Sequence, residues 1–110
     1  MRKPRRYGVE WARTACADLA AIIEYIARDD VAAARSVLEK LEQTAQSLTT
    51  LPMRGRVVPE LAAFGIHVYR ELIVSPWRMI YRVSGKTVHV LAVVDGRRNL
   101  EDLLLERFVR

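Results

Sequence analysis

The sequence predicts an α+β fold: an N-terminal helical hairpin packed on a small antiparallel β-sheet, with a short C-terminal helix. Apolar residues in the first half recur at helical spacing, whereas three short apolar runs from Tyr69 onward alternate at strand spacing across tight turns. Charge divides the chain in the same way. Between Met53 and Arg98 lie eight Lys or Arg against three Asp or Glu, so this segment carries the whole net charge of +5. A neutral helical half followed by a basic sheet half directs the search for function to the sheet.

Tyr7, Val9 and Trp11 alternate with Gly8 and Glu10 and read as a short opening strand. In the next segment Asp18, Leu19, Ile22, Ile23 and Ile26 form one helical face, with Glu24 and Arg28 on the wet side. Asp29-Asp30 ends this helix and offers an N-cap to a second one. There Ala34, Val37, Leu38, Leu41, Ala45 and Leu48 make a second apolar stripe. So short a connection between amphipathic helices makes an antiparallel hairpin, which must also lie on a sheet to bury both stripes.

Pro52 stops the second helix, Arg54-Gly55-Arg56 is a turn, and Val57-Val58 precedes another break at Pro59. Ala62 to His67 is an irregular connection. Three strands follow as an antiparallel meander, turning at Ser75-Pro76 and Ser84-Gly85-Lys86. In the middle strand Met79, Tyr81 and Val83 share one face, and Arg78, Ile80 and Arg82 the other. In the last strand Val88, Val90, Ala92 and Val94 alternate with His89, Leu91 and Val93. Both faces are substantially apolar. One hairpin covers only one of them, so the other needs the C-terminal helix (Leu100, Leu103, Leu104, Phe108) or another protein.

At 110 residues the chain reads as one domain, 1–110, with half its residues apolar and 1–6 a flexible basic tail. The single Cys16 excludes an internal disulfide and reads as a small buried hydrophobe. Charged residues break every candidate signal-peptide core, and no apolar run is long enough to span a membrane, so a cytoplasmic protein with no membrane partner is expected. His67 and His89 lie far apart, the glycines are isolated turn residues, and no serine has an evident base. No metal or other cofactor is expected. Tyr25, Tyr69 and Tyr81 read as core or strand residues rather than acid–base groups. The arginines remain. Arg70, Arg78 and Arg98, in or just after consecutive strands, are expected to converge on an anion-binding patch, unless Glu60, Glu71 or Asp95 pair with some of them.

The run Val9-Glu10-Trp11, Ala15, Asp18-Leu19, Ile22 and Tyr25-Ile26 resembles the N-terminal pattern of the ParE/RelE superfamily of type II toxin–antitoxin toxins. So do Leu51-Pro52, Gly55-Arg56-Val57-Val58-Pro59-Glu60-Leu61, Arg70-Glu71-Leu72, Trp77 to Val83 and Leu91 to Arg98. The pieces occur in order from Tyr7 to Asn99. The resemblance implies a helical hairpin on a small sheet and a cognate, ParD-like antitoxin that wraps the toxin with its C-terminal tail. Antitoxin contacts are expected at Leu72, Val74, Ile80, Leu91, Leu103 and Leu104.

The two branches of the superfamily differ in target. RelE-like members cleave mRNA in the ribosome with basic sheet residues and, typically, a C-terminal tyrosine. On that pattern Arg70, Arg78 and Arg98 fall on basic positions, but Leu72 occupies another, and no tyrosine follows Tyr81. Arginine stays protonated and is a poor proton shuttle. ParE-like members instead inhibit DNA gyrase, stabilising its cleaved complex with DNA, and Gly55 to Leu61 followed by Arg70-Glu71-Leu72 is closer to that branch. Many relatives carry His where this chain has Asp95. The sequence therefore implies a non-enzymatic gyrase inhibitor, with target contacts at Arg56, Arg70, Arg78, Arg82, Arg97 and Arg98. A ribosome-dependent endoribonuclease using Arg70, Arg78 and Arg98 is the alternative.

Overall fold

The computed structural model describes residues 6–109, so the expected basic tail falls almost wholly outside the described residues. Strand β1 (Gly8–Trp11) leads into α1 (Arg13–Ala27) and α2 (Val31–Gln46), the predicted hairpin. Asp30 adopts an extended backbone and its side chain accepts from the Ala33 N–H at 3.0 Å, a helix N-cap. Asp30→Ala should cost about 1 kcal/mol by removing that bond. Chemical denaturation would register it, and an unchanged midpoint would mean that water replaces the cap.

A single 3-10 turn follows, then β2 (Arg56–Val57), α3 (Pro59–Ala62), β3 (Tyr69–Val74), β4 (Trp77–Ser84), β5 (Thr87–Asp95) and α4 (Glu101–Phe108). The strand order is β1-β5-β4-β3-β2. β2 to β5 pair antiparallel in sequence, as expected of a meander. β1 adds a parallel edge to β5, with Gly8 opposite Thr87 and Trp11 opposite Val90.

The hairpin covers one face of the sheet. Ala15, Leu41 and Ala45 pack on Val74, Met79, Val90 and Val93, and Leu48 extends the layer over Leu72, Tyr81 and Val88. On the opposite face, Leu61 of α3, Leu104 of α4 and Leu100 just before α4 pack against Ile80, Ala92 and Val94. The C-terminal helix thus provides the second cover. Among the described residues, no helix is long and apolar enough to cross a membrane.

The simple alternation expected in the last strand fails at one point. The register pairs Ile80 with Ala92 but Tyr81 with Val90, leaving Leu91 as an extra residue. Such a bulge re-aims everything beyond it. Val88 and Val90 face the hairpin, whereas Ala92 and Val94 face α4, and Val93 takes the hairpin side. The Thr14 hydroxyl donates to the Leu91 carbonyl at 3.1 Å, and the Ala12 N–H donates to that of Val90 at 2.9 Å.

Cys16 is exposed rather than buried, because the stripe through Ala15, Leu19 and Ile22 turns it outward. Of the three tyrosines read as interior, Tyr81 is fully buried and Tyr69 half-buried, whereas Tyr25 is 71% exposed.

Candidate functional site

The register separates the arginines expected to meet. Arg70 lies opposite Tyr81, on the hairpin side of the sheet, whereas Arg78 lies opposite Ile73, on the α3/α4 side. The expected convergence of Arg70, Arg78 and Arg98 therefore does not occur. Arg70 donates to the carbonyls of Gly55 at 2.8 Å and Met53 at 3.3 Å, fastening the loop before β2.

Arg78 is buried and saturated. Its terminal nitrogens donate to both carboxylate oxygens of Glu60, at 2.6 and 2.7 Å, and its Nε donates to Glu71 at 2.7 Å. Glu71, with a fully buried side chain, also accepts from Arg56 Nε at 2.6 Å. These four residues form an alternating network that clamps α3 to the sheet. The bidentate bond from Arg78 holds the Glu60 carboxyl below its ordinary range, and the same pairing raises the Arg78 pKa. The sequence offered these carboxylates as possible partners. It did not reveal that one arginine takes both.

The other named cations stay at the surface. Arg82, Arg97 and Arg98 are exposed. Arg97 makes two side-chain hydrogen bonds to Asp95, at 2.7 and 3.0 Å, and holds that carboxyl down to about 2. Of the residues expected to meet an antitoxin, Leu72, Val74, Ile80 and Leu104 fill the chain's own core. That is a consequence of covering both faces: side chains read as an open surface are already used. Leu91 and Leu103 are half-buried.

Leu103 lines a groove of about 550 Å³ between α1 and α4, floored by Val93 and Val94. Ile22, Tyr25, Ile26 and Trp77 line its apolar side, and Arg97 and Arg98 stand at its rim. Asp18 braces it by accepting from the Val93 N–H and from Arg107, both at 3.0 Å, so α1, β5 and α4 are tied together. The sequence reading assigned Ile22 and Tyr25 to the interior. Only the position of α4 turns them into a groove wall.

Comparison with known proteins places this architecture. The family model for the ParE toxin of the type II toxin–antitoxin system parDE matches residues 9–100. Toxin RelE2 of Caulobacter vibrioides is 35% identical over 82% of this chain and 96% of its own length. Toxin ParE3 of the same organism is 34% identical over 64% of this chain, and the match spans 66% of that toxin, just under two thirds. Two solved structures share the fold. The chromosomal ParDE toxin–antitoxin system from P. aeruginosa superposes with a TM-score of 0.67 at 22% identity, covering 83% of this chain and 97% of that one. The toxin–antitoxin complex RelBE2 from Mycobacterium tuberculosis gives 0.60 at 23% identity, covering 86% and 97%. The chain belongs to the ParE toxin family of type II toxin–antitoxin systems, within the ParE/RelE superfamily.

Proposed function

We propose that this toxin inhibits DNA gyrase by binding rather than by catalysis, and that a cognate antitoxin neutralises it. The observation that carries the first part is the state of Arg78. A guanidinium already bonded to Glu60 and Glu71 has no free fork to offer a scissile phosphate. Leu72, at the second basic position of the ribonuclease pattern, is packed in the core. Target recognition then falls to the exposed cations, with Arg97 and Arg98 at one end of β5 and Arg82 at the other.

The antitoxin fits the groove between α1 and α4. Its apolar wall suits one face of an amphipathic segment, and Arg97 and Arg98 at the rim suit acidic residues at that segment's end. Leu103 is the one residue of the expected antitoxin set that lines it.

The likeness to Toxin RelE2 favours ribosome-dependent mRNA cleavage as the second reading. A paired assay separates them. The purified toxin should block gyrase supercoiling and accumulate cleaved DNA, while leaving mRNA on programmed ribosomes intact. Arg97→Glu combined with Arg98→Glu should weaken inhibition by about tenfold or more, as expected for loss of charge-assisted contacts. Codon-specific mRNA cuts with unaffected gyrase would overturn the proposal.

A further inference from the structure

The cover on the α4 side of the sheet runs out before the sheet does. Across the row at its uncovered end, the register sets Tyr69 beside Arg82 and Arg82 beside His89. The last turn of α4 brings Phe108 against Tyr69, with ring centroids 4.8 Å apart. Thr14, Ser84, Leu91 and Arg107 complete an open cleft of about 760 Å³. Asp95 lies six positions beyond His89 along β5, so this cleft lies roughly 20 Å from the Arg97 and Arg98 end at ~3.3 Å per residue.

What sets the cleft apart is a free cation beside aromatic rings, since Arg13, Arg28, Arg35, Arg54 and Arg98 also lack a carboxylate partner among the described residues. Arg56, Arg78, Arg97 and Arg107 each have a carboxylate partner. Arg82 has none within salt-bridge distance among the described residues, and neither has Arg70, which shares a smaller depression with Arg82 at the end of β3 and β4. The nearest acid in the row is Glu10, on the outer strand, 3.7 Å from His89 and with a 71% exposed side chain. An exposed guanidinium without a counter-ion, two aromatic rings on one wall, and the hydroxyls of Ser84 and Thr14 form a recurring combination. It suits a chain of alternating phosphates and planar bases, with the cation on the phosphate and the apolar wall against a base.

We propose that this cleft binds a segment of single-stranded nucleic acid, with Arg82 on a backbone phosphate and the Tyr69–Phe108 wall against an unpaired base. The inference rests on the gyrase–DNA reading only for its biological setting, since it would place the toxin against a DNA strand as well as against protein. It is tested without gyrase. Fluorescence anisotropy of the full-length toxin with a labelled single-stranded oligonucleotide should show saturable, salt-dependent binding. Arg82→Ala should weaken it about tenfold, the scale of one lost charge-assisted contact. The same substitution should flatten the slope of log K against log salt by about 0.7, one phosphate of a single strand. Arg35→Ala, the same charge change at an exposed position on α2, should leave both nearly unchanged. The proposal is overturned by no binding, by equal losses in the two variants, or by displacement as effective with polyglutamate or a duplex as with unlabelled single strand. Gyrase inhibition with no oligonucleotide binding would remove this inference alone, and binding without inhibition would remove the gyrase reading alone.

Discussion

Arg78→Ala should destabilise the protein by about 3–5 kcal/mol, because it strands a buried carboxylate beside an emptied partner site. The Glu71 side chain is fully buried, and after the change only Arg56, itself 60% exposed, remains to face it. Glu60 loses its bidentate partner at the same time, and with it the polar tie from α3 to the sheet. Urea unfolding would measure the loss. Adding Glu71→Gln to Arg78→Ala should recover part of it by removing the stranded charge, a coupling that an ordinary cavity would not produce. A loss under about 1 kcal/mol would mean that water reaches Glu71 freely and that the clamp is nominal.

The sign of the accompanying pH effect follows from Glu60. Its folded pKa lies below the ordinary 4.5, mainly through the hydrogen bond from Arg78. Its contribution is therefore fully present above the unfolded value and disappears as pH falls through the lower folded one. Wild-type stability should decline across that acidic window, and Arg78→Ala should decline less steeply. Parallel curves would show that Glu60 is not held by Arg78 in solution.

Much of this architecture was legible because it depends on local patterns. The two apolar stripes, the Asp30 cap and the tight turns of the meander each follow from spacing within a few residues. What escaped was set by position in three dimensions. Period-2 alternation in β5 places Val88 and Ala92 on one face, and the extra residue at Leu91 undoes this without any mark in the sequence. Arg70 and Arg78 lie in neighbouring strands, so they could be expected side by side, but their register decides that they face opposite ways. Leu72 and Val74 look like a binding surface until the hairpin layer is in place, and Ile80 and Leu104 until α3 and α4 fold onto the other face. The groove beside α4 and the cleft at Arg82 exist only where that helix begins and ends, which no residue pattern announces.

Gly55→Ala should cost about 2–5 kcal/mol, combining steric strain with a lost buried hydrogen bond. Gly55 is buried where the loop before β2 crosses the sheet edge, and its N–H donates to the Tyr81 hydroxyl oxygen at 2.9 Å. A methyl group there would lie 2.6 Å from the Glu71 carbonyl oxygen, 2.6 Å from the Tyr81 hydroxyl and 2.9 Å from its ring. The side chain offers no retreat, since Tyr81 is fully buried and its phenol pKa is raised chiefly by that burial. The backbone offers none either, because Glu71 sits mid-strand and pairs with both Arg56 and Ile80. Removing the hydroxyl separates the two causes. Tyr81→Phe alone should cost about 1–3 kcal/mol, by leaving the Gly55 N–H unpaired. Combined with Gly55→Ala it should rescue little, because the contacts to the Glu71 carbonyl and the ring persist. Full rescue in the double variant would show that the hydroxyl was the whole obstacle and that β3 yields at Glu71. Arg70 reports on the same loop, since its guanidinium bonds the Gly55 carbonyl at 2.8 Å. A displaced Gly55 would therefore loosen Arg70 as well, but on the hairpin face and outside the cleft at Arg82, so oligonucleotide affinity should hold while stability falls.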